Sequence, residues 1–218
     1  MFAKYPEKGK VKSRLSPHWD ESVIVRLYRC FIEDLLDRLS RGDYQFKIAY
    51  HPREKKSDFV RQFGDTFSYM PQIGDDLGER MHNAFRQCFT ESCRFVVIIG
   101  SDSPDLPLRI TRDAFQAIET YGAVIGPSID GGYYLIGFSR ESFFPGIFEG
   151  ITWGPDDVFK KTAQLLKDAG LQPYILPVWR DVDRPEDIFT LIKDNQETDF
   201  AKSKTITCLK ELGFTESL

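Results

Sequence analysis

"RFVVIIGSDSPD", residues 94–105, decides the fold. Five consecutive apolar residues, Phe95 to Ile99, combine aromatic and β-branched side chains. Such a run suits a strand buried on both faces of a parallel sheet. Gly100 then opens an acidic, hydroxyl-rich turn. In layered α/β folds, ligands sit beyond the carboxyl ends of the strands. Asp102 is therefore read as a functional residue, although Asp and Ser also serve as ordinary turn and cap residues.

Upstream, residues 20–39 place Val23, Leu27, Tyr28, Phe31, Leu35 and Leu39 at three- and four-residue intervals, the pattern of an amphipathic helix. "YQFKIAY" (44–50) reads as a strand ended by His51-Pro52. Residues 54–63 read as a helix and "FSYMP" as a short extended piece. Residues 76–89 carry Leu77, Met81, Ala84, Phe85 and Cys88 on one helical face. Downstream, Pro107 to Tyr121 reads as a helix with proline near its first turn. "AVIGPS" and "YYLIGF" are strands on either side of "DGG". A helix over 155–169 closes at Gly170, "PYILPVW" is extended, and helices over 185–194 and 199–212 finish the chain. This alternation predicts a single α/β domain with helices flanking a sheet.

The residues following each strand carry the chemistry. "FAKYPEKGKVKSRL" (2–15) follows a very short first strand and holds Lys4, Lys8, Lys10, Lys12 and Arg14 against Glu7 alone. Asp130, Gly131 and Gly132 follow "AVIGPS", and Asp181 and Asp183 follow "PYILPVW". Carboxylates and cations around one crevice suit a divalent cation that bridges to phosphate oxygens. Each element has a plainer reading beside this one. Asp-Gly suits a type I′ hairpin turn, while glycines also let a backbone approach a ligand closely. "DRPED" reads as an N-cap region, with Glu186 and Asp187 serving the helix dipole. His82 reads as structural. Trp153, beside Gly154-Pro155, reads as a ligand wall.

The chain has 218 residues, 41% hydrophobic, enough for one ordinary core. No apolar run approaches a membrane span, and the charged start has no secretory pattern. Residues 1–14 carry five cations and one anion, so the remainder of a chain of net charge −4 sums to −8. An acidic body argues against nucleic acid as partner, which calls for a broad basic face. It accommodates a local anion site. Cys30, Cys88, Cys93 and Cys208 form neither a CxxC pair nor a zinc spacing, as expected of thiols in a reducing cytoplasm. GxGxxG, GxxxxGK[ST], HExxH and GxSxG are absent.

Taken in order, "FAKYPEKGKVKSRL", "GDDLGERM", "GSDSPDLP" with "GPSIDGGYYLIG", and "DVDRPEDI" resemble the bacterial radical-SAM/selenodomain-associated, glycosyltransferase-like transferases. Those are relatives of the nucleotide-diphospho-sugar transferases and of the molybdenum-cofactor and phospholactate guanylyltransferases. The resemblance runs from Phe2 to about Ile192. It implies a GT-A-like fold with a mixed, mainly parallel, seven-stranded sheet. Residues 1–103 would form the nucleotide-binding half and 104–218 the sugar and acceptor half. It also implies Mg²⁺ or Mn²⁺ as cofactor. On this resemblance Lys4, Lys12 and Arg14 lie along the phosphates, and Asp102 and Asp183 hold the metal. Asp130, Gly131, Gly132, Tyr133 and Trp153 lie on the sugar or acceptor side.

Three departures stand out. Ser13 replaces the family's Thr and keeps its hydroxyl. Trp153-Gly154-Pro155 replaces W-S-T and loses two. Only Met1-Phe2-Ala3 stands where the family has a longer apolar first strand, so either that strand is a stub or the natural start lies upstream. The function expected is transfer from a nucleotide-diphosphate sugar to a small-molecule acceptor, with Asp102 and Asp130 as catalytic residues. The alternatives are nucleotidyl transfer from a nucleoside triphosphate, releasing pyrophosphate, and nucleotide-sugar binding without turnover. A homodimer remains open.

Overall fold

The longest helix, α1 (Glu21–Leu39), follows directly from its sequence. The Asp20 side chain accepts from the Ser22 backbone N–H at 2.7 Å, satisfying a free donor of the first turn. The stripe Ile24, Leu27, Tyr28, Phe31, Ile32 and Leu35 is buried along one face. The protein is described here by a computed structural model, covering residues 1–154 and 157–214.

Strands and helices alternate from there. The strands are β1 (Phe2–Lys4), β2 (Lys47–His51), β3 (Ser68–Pro71), β4 (Phe95–Ile99), β5 (Ala123–Pro127), β6 (Tyr133–Ser139) and β7 (Tyr174–Ile175). The remaining helices are α2 (Lys56–Phe63), α3 (Leu77–Thr90), α4 (Leu108–Tyr121), α5 (Val158–Asp168), α6 (Pro185–Asp194) and α7 (Lys204–Glu211). The α/β class is as expected, with helices flanking one parallel and one mixed sheet. The ladder is divided, however. β1, β2 and β3 form a parallel sheet, while the second sheet runs β4-β6-β5-β7. No ladder joins β1 to β4 among the described residues. Between them lies a cavity of about 100 Å³ lined by Met1, Phe2 and Phe95–Ile99. The first strand is thus a three-residue stub.

The strand over 95–99 has an antiparallel neighbour, β6, rather than parallel ones. The hairpin after β5 folds β6 back between β5 and β4, so both β6 pairings are antiparallel. Gly137 lies where this packing is tightest. A Cβ there would stand 2.8 Å from Ile118 and 3.0 Å from Val97 and Val124. The hairpin is not the two-residue type I′ turn that Asp-Gly suggests. Gly131 N–H donates to the Ser128 carbonyl at 3.2 Å, Ser128 N–H donates to the Gly132 carbonyl at 3.0 Å, and Gly131 has φ 88°. That is a three-residue loop closing on a left-handed glycine.

Other boundaries move for local reasons. Residues 44–46 precede β2, because the Tyr44 hydroxyl donates to the Leu39 carbonyl at 2.7 Å and holds the segment against the end of α1. Only Tyr174 and Ile175 of "PYILPVW" form a strand, since the flanking Pro173 and Pro177 have no N–H to donate. The helix expected over 199–212 breaks at Ser203, whose hydroxyl caps α7 by accepting from Ile206 N–H at 3.1 Å. Buried Asp34 accepts from the next two donors, Lys204 and Thr205 N–H, at 3.0 and 2.8 Å. The expected start of the helix at 155 lies outside the described residues.

Two apolar clusters fill the interior. One is built on α1, α4, α6 and α7; the other centres on Phe85. Phe85 is fully buried. Its ring stands 5.2 Å from those of Phe138 and Phe143 and 6.1 Å from those of Phe89 and Phe148. Phe85→Ala leaves a cavity that four rings cannot close, with an expected loss of about 3–5 kcal/mol. Urea unfolding checks this: a loss below about 1 kcal/mol would mean the cluster collapses onto the gap.

Candidate active site

The site begins with the loop after β1. Val11 and Leu15 are buried and pin it, and Lys12 between them takes a left-handed backbone, φ 48° and ψ 42°. The Lys12 side chain is only 4% exposed. Its ammonium lies 5.8 Å from the Tyr28 ring centre and 5.6 Å from that of Phe31. It ends 2.5 Å from Asp102 Oδ1 and 2.8 Å from Asp183 Oδ1. Arg14, largely exposed, reaches the other Asp183 oxygen at 3.4 Å.

Each partner is held by its own element. The Asp102 carbonyl accepts from Val182 N–H at 2.8 Å, joining the end of β4 to the segment before α6. Asp187, in the first turn of α6, accepts from the backbone N–H groups of Asp183 and Arg184 at 3.1 and 2.8 Å. Asp187 therefore does the capping, and the Asp183 carboxylate is free to face Lys12. Tyr28 completes the frame. Its hydroxyl lies 2.7 Å from Ser101 Oγ and accepts from Lys4 N–H at 3.2 Å.

Electrostatics follow from burial and proximity. Burial would depress the Lys12 ammonium, but Asp102 and Asp183 override it and hold its pKa above the ordinary lysine value. Burial would raise the Asp183 carboxyl, but Lys12, then Arg14 and Arg184, keep it below the carboxylate range. Burial and then Asp102 push the Tyr28 hydroxyl up to about 12. Asp181 goes the other way. Burial, then the Asp102 charge, pushes its carboxyl up to about 7, against the Ser103 hydroxyl donated at 2.6 Å.

Above this group opens a cavity of about 480 Å³. Lys4, Lys10, Lys12, Arg14 and Arg80 line it together with Asp102, Asp183 and Tyr133. The positive loop and the two acidic strand ends are thus brought together. Arg80 is absent from the sequence-based set, although "GDDLGERM" contains it. Its guanidinium is fixed by the Gly74 and Asp75 carbonyls at 2.9 and 3.2 Å. The available signal was a cation one residue from buried Met81 in the first turn of a helix. Gln72, also missed, lines the cavity and donates to the Ala49 carbonyl at 2.7 Å, tying the residue after β3 to the middle of β2.

The residues expected on the acceptor side are placed differently. Asp130, Gly131 and Gly132 form the hairpin tip and are not on the cavity wall. The Asp130 carboxylate accepts from Ser128 Oγ at 2.5 Å and from Gly132 N–H at 3.1 Å. Trp153 is not on the wall either. It stands behind Tyr133 with ring centres 6.4 Å apart, and covers Gly78 so closely that a Cβ there would lie 2.9 Å from it. Pro155 lies outside the described residues. Asp105 serves the scaffold, accepting from Trp179 Nε1 at 2.9 Å and Asn195 Nδ2 at 3.1 Å.

Residues 35–155 match a family described as an uncharacterized protein conserved in bacteria, DUF2064. The chain belongs to this family. The crystal structure of a protein from Desulfovibrio desulfuricans G20, provisionally described as a nucleotide-diphospho-sugar transferase, is 39% identical with a TM-score of 0.94, covering 97% of this chain and 93% of that one. Two more distant structures show the fold alone. They are the 4-diphosphocytidyl-2C-methyl-D-erythritol synthase of Anaerococcus prevotii DSM 20548 (12% identity, TM-score 0.54, 77% and 86% of the two chains) and a cytidylyltransferase from Leptospira borgpetersenii (15%, 0.52, 97% and 92%). No functionally curated protein matches significantly. Among the described residues, no helix is long and apolar enough to cross a membrane.

Asp181 makes stability depend on pH in the metal-free protein. Its folded pKa of about 7 lies above the unfolded carboxylate value, so the folded state holds the extra proton. The Asp181 contribution is fully present below the unfolded pKa, near pH 4, and is lost as pH rises through 7. Melting with chelator present should show the wild type losing stability from pH 5 to 8 relative to Asp181→Asn. Parallel pH profiles for the two proteins would contradict this.

Proposed function

We propose that this chain is a metal-dependent transferase that takes a nucleotide-diphosphate sugar as donor and passes the sugar to a small-molecule acceptor. The observation that carries the reading is the convergence of the Asp102 and Asp183 carboxylates on one point, in a cavity walled by Lys4, Lys10, Arg14 and Arg80. Two hard oxygen donors and a cationic wall fit Mg²⁺ or Mn²⁺, which takes one or two carboxylates and completes its shell with phosphate oxygens and water. Among the described residues no third His, Cys, Asp or Glu joins them, in keeping with a cation held partly by its ligand. When bound, the cation would neutralise charge on the departing nucleotide diphosphate.

Lys4, Lys12 and Arg14 hold phosphate oxygens, Arg14 in two-point fashion. Arg80 closes the cationic wall from α3. Residues 1–103 supply the nucleotide half. Residues 104–218 supply the acceptor half, where Tyr133 lines the cavity with Trp153 behind it, and the Asp130–Gly132 hairpin tip stands outside the cavity wall. In this proposal Asp130 orients the sugar or acceptor from the hairpin tip, where its carboxylate already accepts from Ser128 Oγ and Gly132 N–H. The 39% identical Desulfovibrio protein favours the sugar reading, as does a loop with Gly9 as its one glycine where nucleotidyltransferases have several. The resemblance to the radical-SAM/selenodomain-associated transferases belongs to the same proposal. So does a cytoplasmic location, in keeping with four free thiols.

A thermal-shift screen of nucleoside diphosphates, triphosphates and nucleotide sugars, with and without Mn²⁺, tests the reading. A ligand at 100 times its dissociation constant adds about 2.7 kcal/mol of stability. Asp102→Asn and Asp183→Asn should remove the metal-dependent part of the shift. Undiminished affinity in both would sink the assignment. Pyrophosphate release from a nucleoside triphosphate and a phosphorylated acceptor would make the reaction nucleotidyl transfer instead.

A further inference from the structure

Lys12 stands where the site needs a cation. Its ammonium is 2.5 Å from Asp102 and 2.8 Å from Asp183, and its side chain is 4% exposed. No carboxylate of the pair can be approached from between them without meeting it. A divalent cation takes carboxylate oxygens at roughly 2.0–2.1 Å. Held between the same two oxygens, it would occupy the volume of the ammonium and repel it at short range. At the point between Asp102 Oδ1 and Asp183 Oδ1, lysine and divalent cation therefore exclude one another.

What happens to Lys12 on displacement decides the energetics. A buried ammonium stripped of both carboxylates is costly unless another anion receives it. Beyond the two aspartates, the charged residues that line the adjoining cavity are all cationic: Lys4, Lys10, Arg14 and Arg80. Phosphate oxygens in that cavity would supply the missing partner. We infer that Lys12 is a resident counter-cation that keeps divalent metal off Asp102 and Asp183 until a ligand's phosphates draw it away, so that metal and phosphate ligand load together. The left-handed Lys12 backbone fits this role: a lysine at φ 48° is held there by its surroundings, not by its own preference.

The inference rests on the metal-site reading above, but it is tested with metal alone. Free Mn²⁺ is followed by electron paramagnetic resonance as it is titrated into the wild type, Lys12→Met and Lys12→Gln, with no nucleotide present. Both variants should bind Mn²⁺ about tenfold or more tightly than the wild type, within the range of typical site-to-site couplings. Adding Asp102→Asn to either should abolish the gain. With a saturating nucleoside diphosphate, corrected for its own chelation, wild-type Mn²⁺ affinity should rise, and the variants should lose most of that coupling. Equal Mn²⁺ affinity in the wild type and a folded variant overturns the inference. So does stoichiometric binding of Mn²⁺ alone by the wild type at micromolar protein, a measurement that needs no variant. If no nucleotide binds under any condition, the transferase reading fails, yet the Mn²⁺ comparison still decides the role of Lys12.

Discussion

The ion group of Lys12, Asp102 and Asp183 is the contact on which the site depends. It fastens three segments far apart in sequence: the loop after β1, the turn after β4 and the approach to α6. Its value is positional more than energetic. Desolvating a buried ion costs about as much as the attraction returns, and Asp102 stays half exposed to screening water. The fold supplies rigidity around it instead, through Tyr28 below, the Val182 to Asp102 backbone bond beside it and Asp187 behind Asp183. The carboxylates are thereby held in a fixed orientation.

Charge and burial divide the cavity. Cations come from β1's loop and from α3, while the carboxylates come from turns after β4 and β7. The protein keeps an acidic body, so the positive wall is local and its field is directed into the hollow. Asp181 shows the limit of this arrangement. It lies close enough to feel Asp102 but is too buried to share solvent, so its carboxyl holds a proton near neutrality.

Much of this was legible in the sequence. Phe95 to Ile99 announced a strand, the α6 helix falls on its expected bounds, and strand-end logic brought Lys12, Arg14, Asp102 and Asp183 to one edge. What stayed hidden was tertiary. The "DGG" hairpin already implied that β6 runs antiparallel to β5, but an apolar run does not encode its neighbour, so the insertion of β6 beside β4 was invisible. Trp153 could be read as a ligand wall, but not as facing Gly78 and standing behind Tyr133. Arg80 gave no periodic signal, because its position is set by the Gly74 and Asp75 carbonyls of a preceding loop. Asp130 satisfies its own hairpin, a local bond pattern that a functional reading of "DGG" does not foresee.

The break between β1 and β4 has a mechanical meaning. Elsewhere the strands are riveted by directional backbone bonds, but at this seam the two sheets meet through side chains and a cavity of about 100 Å³. Ladder bonds fix register; apolar contacts resist separation but tolerate sliding. The β1–β3 sheet and the hairpin-bearing sheet therefore meet here without backbone bonds between their strands, and the Lys12 group crosses that seam like a clasp. Releasing the clasp removes the shortest polar ties among the described residues between the loop on the first sheet and the strand ends of the second, and leaves Arg14 on Asp183 at 3.4 Å.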